Sequence, residues 1–522
     1  MSLDPRSKGG NNNNNRSSCN NCRCFPGDAC WPTLAEWSSF NDTVGGRLVA
    51  TVPIAAPCHQ SDLADYDAQA CRALRDVWWY PNTHLATSSS PMAPFFANAS
   101  CDPFTAPDDQ CVVGAYVRYA VRAIGVSDYQ ATLAFAAARN IRLVVRNTGH
   151  DYFGKSTGAG ALALWTHFLN DTQLIDNYTS PAYAGKALKL GAGTGALEAY
   201  RAADEAGVAV VGGACDTVGL AGGYSQGADH GPLNSVFRLG TDQVLDPTQN
   251  SDLYWALSGG GGGTYAAILS MTVRAHRLTK VSAASLSFTT GANVTADLFN
   301  SAVHAFLLTH PSLAEAGAWS TWLLATGVFS LVPVVGPNLD KDQLQTLFEP
   351  TISFLDSNGI PYDYEIRQYN TFLEAYTGMF PFCNITEYNI GRVISGNSFD
   401  VSGFPSTGIQ NSVNPVWRTA ILNLVIGLAY DTYDFQANVA LQTKMTNTIM
   451  PRLEALTPGG GTYLNEADFR DPDWKNNFYR TNYAKLLSIK DKYDPDSLFY
   501  GPTAVGSDRW TAQPDGRLCR AS

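Results

Sequence analysis

The chain has 522 residues, 45% of them apolar and 11% aromatic, which suffices for a substantial core and excludes wholesale disorder. Charged residues make up 16%, and 35 basic against 46 acidic side chains leave a net charge of −11. That balance argues against a nucleic-acid binder, which carries a basic footprint. The longest apolar runs, such as 421–430, are too short to span a bilayer.

Residues 1–18, with the run Asn11–Asn15, read as a disordered lead-in. Residues 19–110 are rich in Pro, Cys and Trp and read as an irregular wrapping segment tied by disulfides. Eight of the eleven cysteines precede residue 112, a density expected of an oxidised, secreted region. A zinc cluster of Cys19, Cys22, Cys24 and Cys30 competes, weakened by the lack of a nearby histidine. The odd total leaves at least one cysteine outside internal bridges, and Cys215 stands far from the others. Seven Asn-x-Ser/Thr sequons, starting at Asn15, Asn41, Asn98, Asn170, Asn177, Asn293 and Asn384, fit a secretory route. Met1–Ser18 shows no apolar signal-peptide core. Secretion remains the expectation.

Two helix–strand units follow. Ser127, with Gln130 three residues on, predicts a capped helix, then a strand over Ile141–Arg146 entering the loop Asn147–His150. A strand near Leu188–Leu190, a helix across Ala196–Ala206 and a strand over Val208–Val211 lead into Gly212–Cys215. Ligands sit where loops leave the carboxyl ends of such strands, so the two loops are expected to face one ligand. Beyond them lie a glycine-dense stretch (Gly219, Gly222, Gly223, Gly227, Gly231) and the run Gly259–Gly263. Apolar flanks argue against a linker at the second. Residues 281–460 alternate strands (Ser285–Phe288, Val328–Val335) with a helix (Gln343–Asn358), as a separate mixed domain.

Backbone amides in Asn147–Asp151 can bind a pyrophosphate without a lysine. No GxxxxGK[ST] element is present, and the third glycine of Gly191-Ala192-Gly193-Thr194-Gly195 comes too early for GxGxxG. A histidine and a cysteine facing one ligand, His150 and Cys215, could ligate metal, form a nucleophilic pair or anchor a cofactor covalently. Composition and spacing leave these open.

At these residues the sequence resembles the vanillyl-alcohol-oxidase-like flavoproteins, in their berberine-bridge-enzyme-like branch, and most of all fungal members labelled isoamyl alcohol oxidases. The phosphate-loop pattern R-x-x-G-H-x-x-x-G stands as Arg146–Gly154 and the pattern G-x-C-x-T-V-G as Gly213–Gly219. The tract D-L-[FY]-W-A stands within Asp252–Gly263, and N-Y-x-x-L-x-x-I-K within Asn482–Phe499. The resemblance implies an α+β protein: a PCMH-type FAD-binding domain of two α/β subdomains, plus a central substrate domain with an antiparallel sheet backed by helices. The FAD domain would comprise 19–110, a core at 111–280 and a C-terminal return at 461–522, around a substrate domain at 281–460.

It also implies FAD attached twice, through His150 to the 8α-methyl and Cys215 to C6. Contacts are expected from Arg146, Asn147, Thr148, Gly149, Asp151, Gly154, Gly213, Thr217, Gly219, Gly222, Gly223, Asp242, Asn482 and Tyr483. No metal is expected. One departure stands out: only Leu245–Ser251 follow Val244 where relatives carry a hairpin, about fifteen residues longer, and its loss would expose strand edges.

The activity implied is that of an FAD-dependent oxidase acting on a small-molecule alcohol, sugar or secondary metabolite, with O₂ as electron acceptor and H₂O₂ as product. The alternatives are a flavin dehydrogenase, a cyclising oxidase of secondary metabolism, or, in another class, a non-catalytic flavin- or carbohydrate-binding protein. By the resemblance Val218 controls oxygen access. Glu466 is the first choice of catalytic base and Tyr463 the second, with strand alternation placing them on opposite faces. A monomer, with no nucleic-acid or membrane partner, is expected.

Overall fold

The structure is a computed structural model and describes residues 21–181, 183–245, 249–380, 393–402 and 411–521. The β-rich run before the first loop forms a strand at Leu143–Arg146, parallel to Leu162–Trp165, which in turn runs parallel to Tyr119–Arg122. Leu48–Ala50 closes this four-stranded sheet antiparallel to Tyr119–Arg122. Leu162–Trp165 is buried along its whole length, as a parallel strand covered on both faces must be. The helix before it spans Val126–Ala138 and starts at Gly125, with no side-chain cap from Ser127. Asp128 does the local work instead, accepting from Ile124 N–H at 2.9 Å and from Arg47 at 2.5 Å.

The second unit differs from the expected repeat. Thr172–Ser180, Tyr183–Gly191 and Ser270–Arg274 form an antiparallel three-stranded sheet, and the helix covers Ala196–Glu205. The predicted strand Val208–Val211 joins no ladder; its one bridge is Ala209 to His276. Its four side chains are buried in the core, so apolar β-branched composition here reports burial rather than pairing. At the point where the resemblance implies a hairpin that this sequence lacks, Val244 bridges Val273, and Leu245 N–H donates to Thr272 C=O at 2.8 Å.

The central segment forms a six-stranded antiparallel sheet. Its spatial order is Tyr362–Tyr369, Val281–Thr289, Val328–Pro337, Trp319–Ala325, Val393–Ser398 and Leu422–Gly427. Helices Ala296–Leu307 and Lys341–Ser357 back it over a core that includes Phe288, Phe299, Phe306, Phe329 and Phe348. The fold is therefore α+β, as expected. The helix Phe372–Met379 joins this sheet to the second unit, setting Phe372 and Tyr376 edge-on to Tyr200 at 4.9 and 5.0 Å.

The N-terminal segment is less irregular than its composition suggests, with helices at Leu34–Thr43 (capped by a Thr33–Glu36 box) and Ala68–Val77. Disulfides Cys24–Cys30, Cys58–Cys71 and Cys101–Cys111 staple it, and Cys22–Cys519 ties it to the C-terminal end. The sulfurs of Cys22, Cys24 and Cys30 are thus used in disulfides rather than offered to a zinc ion. Among the described residues no helix is long and apolar enough to cross a membrane.

Candidate cofactor and active site

The first loop is organised from beneath by Arg146. Its guanidinium is fully buried and donates to the carbonyls of His84 (2.9 Å), Ser90 (2.8 Å), Thr87 (3.0 Å) and Ser156 (3.4 Å). Burial lowers its pKa to about 10, which leaves it charged at neutral pH. Gly149, at φ +86°, lies so close that a Cβ there would come within 3.0 Å of both terminal guanidinium nitrogens. Asp151 accepts from the N–H groups of Phe153, Lys155 and Ser156 at 2.8–2.9 Å. The polar atoms of Arg146 and Asp151 therefore go to backbone. Both residues, expected to touch the cofactor, hold the loop that would touch it. Gly154, at φ +69°, turns the chain where any side chain would meet the Phe96 ring, and Thr148 is buried.

The two loops do meet, as the motif placement predicts. His150 Nε2 lies 2.6 Å from Thr217 Oγ1. Burial, and beyond it the neighbouring His84, pushes the pKa of His150 down to about 4, so the imidazole is neutral at physiological pH. Asn147 donates to Ala192 C=O at 2.8 Å, and its Oδ1 is buried without a hydrogen-bond partner. A Cβ on Gly219 would collide with this amide. Gly222 breaks the helical path at φ −87°, ψ −131°.

The five-glycine run is not a linker. Gly259 and Gly261 N–H both donate to Gln226 C=O, at 3.0 and 2.9 Å. Gly262 packs on Gly223, where a Cβ would stand 3.2 Å from the facing Cα. Gly219, Gly222, Gly223 and Gly262 thus leave bare backbone beside a neutral imidazole and an unpartnered amide oxygen. Planar rings and a pyrophosphate need backbone access of this kind, and the residues present fit FAD.

Several expected contacts have other duties. Cys215 is disulfide-bonded, so its sulfur is not available for a bond to flavin C6. The second covalent link is corrected accordingly. Asp242 takes a two-pronged ion pair from Arg418 (3.1 and 3.0 Å) and a hydrogen bond from Asn411 (2.6 Å). Asn482 donates to the carbonyls of Ser412 and Val413, both at 3.1 Å, while Tyr483 accepts from Gly506 N–H at 3.4 Å. These three hold one chain segment to another. Gly213 offers its carbonyl to the Tyr200 hydroxyl at 2.7 Å, and Val218 is half-buried, its carbonyl accepting from Ala196 N–H at 3.1 Å.

The segment that carries the two candidate bases corrects the strand reading. Residues 463–468 form a turn, with Glu466 N–H donating to Tyr463 C=O at 3.0 Å, and this brings both candidate bases to one cluster. Glu466 accepts from Asn423 at 2.9 Å and faces His230 Nε2 at 3.6 Å. The Tyr463 hydroxyl accepts from Asn465 at 2.8 Å and faces the Asp229 carboxylate. Burial first, then Asp229 and Glu466, raise the Tyr463 phenol well above its ordinary value, which makes it a proton donor and a poor base. Asp468 lies apart, bonded to Gln442 and Thr446. Asp229 and His230 were missed by sequence reading. The only signal was two ionisable residues inside a glycine-dense stretch, Gly227-Ala228-Asp229-His230-Gly231.

Family models described as "FAD binding domain" and "Berberine and berberine like" match residues 117–246 and 462–506. The chain is 44% identical to the FAD-linked oxidoreductase sor8 of Hypocrea jecorina, covering 97% of this chain and 94% of that protein. That alignment runs over 547 residues, so the relative carries residues that this chain of 522 lacks. The bifunctional decalin synthase calF of Penicillium decumbens is 36% identical, with 96% of each chain covered. Among solved structures, the VAO-type flavoprotein MtVAO615 of Myceliophthora thermophila superposes with a TM-score of 0.90 at 39% identity, covering 96% of this chain and all of that one. The fold and its bare-backbone loops define an FAD-binding oxidoreductase. The chain belongs to the VAO and berberine-bridge type of FAD-linked oxidoreductases.

Proposed function

We propose that the protein is an oxidase of alcohol-type C–H bonds, with FAD attached through His150. The observation that carries this reading is the His150–Thr217 bond at 2.6 Å, which joins the two motif loops beside the glycine face. With Nε2 carrying the proton toward Thr217, the lone pair of the neutral ring lies on Nδ1, free for attachment. When bound, FAD accepts a hydride from the substrate carbon and passes two electrons to O₂. The chain's part is to fix the ring through His150, cradle it on backbone, and take the hydroxyl proton into the carboxylate cluster that holds Glu466. A peroxide-coupled screen of alcohols, sugars and phenols tests the reading. A yellow protein that none of them bleaches would sink it.

Kinship to a decalin synthase favours, as the second reading, a cyclising oxidase of secondary metabolism, for which the same screen should include polyketide-type donors. Secretion is part of the proposal, supported by the four disulfides that join described residues and by the exposed sequons Asn98, Asn170, Asn177 and Asn293. We also propose that Val218 sets oxygen access. Val218→Leu should slow reoxidation of photoreduced flavin and leave its reduction by substrate unchanged. Equal reoxidation rates in a stopped-flow comparison would return Val218 to a packing role.

A further inference from the structure

We propose that Asp229 accepts the proton of the substrate's hydroxyl group, with Tyr463 holding its carboxylate and His230 beside it. The proposal rests on the alcohol-oxidising reading above and names the base within it. Its ground is the way the loop is built. Ala228, at φ +67°, ends a short helix in the left-handed region and turns the chain. Asp229 N–H is secured to Tyr224 C=O at 3.0 Å. Gly231 then packs on the Gly212 carbonyl, where no side chain fits, so the loop sits directly against the residues leading to Cys215. On the other side, Asn465 donates to both Gly223 C=O and the Tyr463 hydroxyl oxygen, each at 2.8 Å. That leaves the phenolic hydrogen to point at Asp229. A carboxylate is thus held between the loop that leads to Cys215 and the turn at 463–468, half-buried rather than sealed.

The groups facing Asp229 are His230 on its own loop, Tyr463 and Glu466 on the turn, Tyr224, and Tyr200 on the helix Ala196–Glu205. The three tyrosines are buried, with pKa values raised well above the ordinary value, and so are uncharged. Burial would push His230 down, but Glu466 and Asp229 carry it above its ordinary value. Burial and then Glu466 raise Asp229, against the opposing pull of His230, to about 7. A base poised there suits proton removal near neutral pH. The ring of His230 is held by Phe399, stacked at 5.2 Å, and by Trp417 at 6.2 Å.

The step balances. The alcohol O–H bond breaks and its proton goes to Asp229 Oδ. The C–H hydrogen leaves with its electron pair to bound FAD as the C=O bond forms. Two electrons then reach O₂, and that hydrogen and the Asp229 proton end in H₂O₂.

The test uses the flavin-loaded protein and two readouts: the pH profile of anaerobic flavin reduction, and pH-difference infrared of the protonated carboxyl band. In wild type the rate should fall on the acid side, and the band should appear, near pH 7, the value to which Asp229 is raised. Asp229→Asn should slow reduction by about 10²-fold, remove the acid limb and remove the band. His230→Gln takes away a facing positive charge and should move limb and band to higher pH. Glu466→Gln takes away a facing negative charge and should move both to lower pH. Should Asp229→Asn fail to load flavin, the opposite shifts in the other two variants still decide. A band that persists in Asp229→Asn, or an acid limb lost in Glu466→Gln and kept in Asp229→Asn, overturns the proposal and returns the role to Glu466. If no alcohol reduces the wild-type flavin, the oxidase reading falls and takes the substrate proton with it. The infrared band separates that failure from a wrong choice of residue.

Discussion

Acid precipitation of the His150→Ala variant should release its flavin into the supernatant, while wild type and Cys215→Ala keep theirs in the pellet. The expectation follows from the state of the two candidate atoms. His150 is a neutral imidazole held by Thr217 at 2.6 Å, with its other ring nitrogen available as a nucleophile. Cys215 has its sulfur in a disulfide, and one sulfur cannot form both that bond and a thioether to the ring. Absorbance of supernatant and pellet checks the outcome. If release requires substitution at both positions, the double attachment that the resemblance implies is restored.

Arg146→Met should be the most damaging single change outside the active site. The guanidinium serves four backbone carbonyls in the interior, drawn from the N-terminal segment and the far side of its own loop. Methionine fills much of the volume but leaves those acceptors buried without donors, each at about 1–3 kcal/mol before relaxation. A net loss of roughly 3 kcal/mol or more, read as a lower denaturation midpoint, is expected, together with poor flavin loading although His150 is untouched. Lysine should not rescue it, because a point charge cannot match a planar fork with several donors. Near-normal stability and loading in Arg146→Met would show that the loop is held by Asp151 alone.

The sequence by itself determined the family, the two loops and their convergence. The reason is chemical: Gly149, Gly219 and Gly222–Gly223 stand where backbone must be bare, and His150 and Thr217 fall at fixed offsets from them. Such requirements are local and leave a local trace. The α+β class was legible only through the family resemblance, whereas two strands and one helix of the central domain, Ser285–Phe288, Val328–Val335 and Gln343–Asn358, were legible because apolar periodicity follows from which face is buried.

What tertiary structure alone decided was the use to which polar side chains are put. Arg146, Asp151, Asp242 and Asn482 look like ligand contacts in a motif, yet each is satisfied by backbone or by another side chain that the fold brings near. Val208–Val211 reads as a strand because it is buried, and only the position of its neighbours denies it a ladder. The cluster of Asp229, His230, Tyr463 and Glu466 is the clearest case. Asp229–His230 and Tyr463–Glu466 lie more than two hundred residues apart, and no periodicity or spacing links them. Their meeting depends on a left-handed Ala228, a glycine with no room for a side chain at 231, and Asn465 bridging the turn to Gly223. Long-range juxtaposition leaves no signature in a single chain, because the protonation of each group is set by burial and by neighbours that only the folded protein supplies.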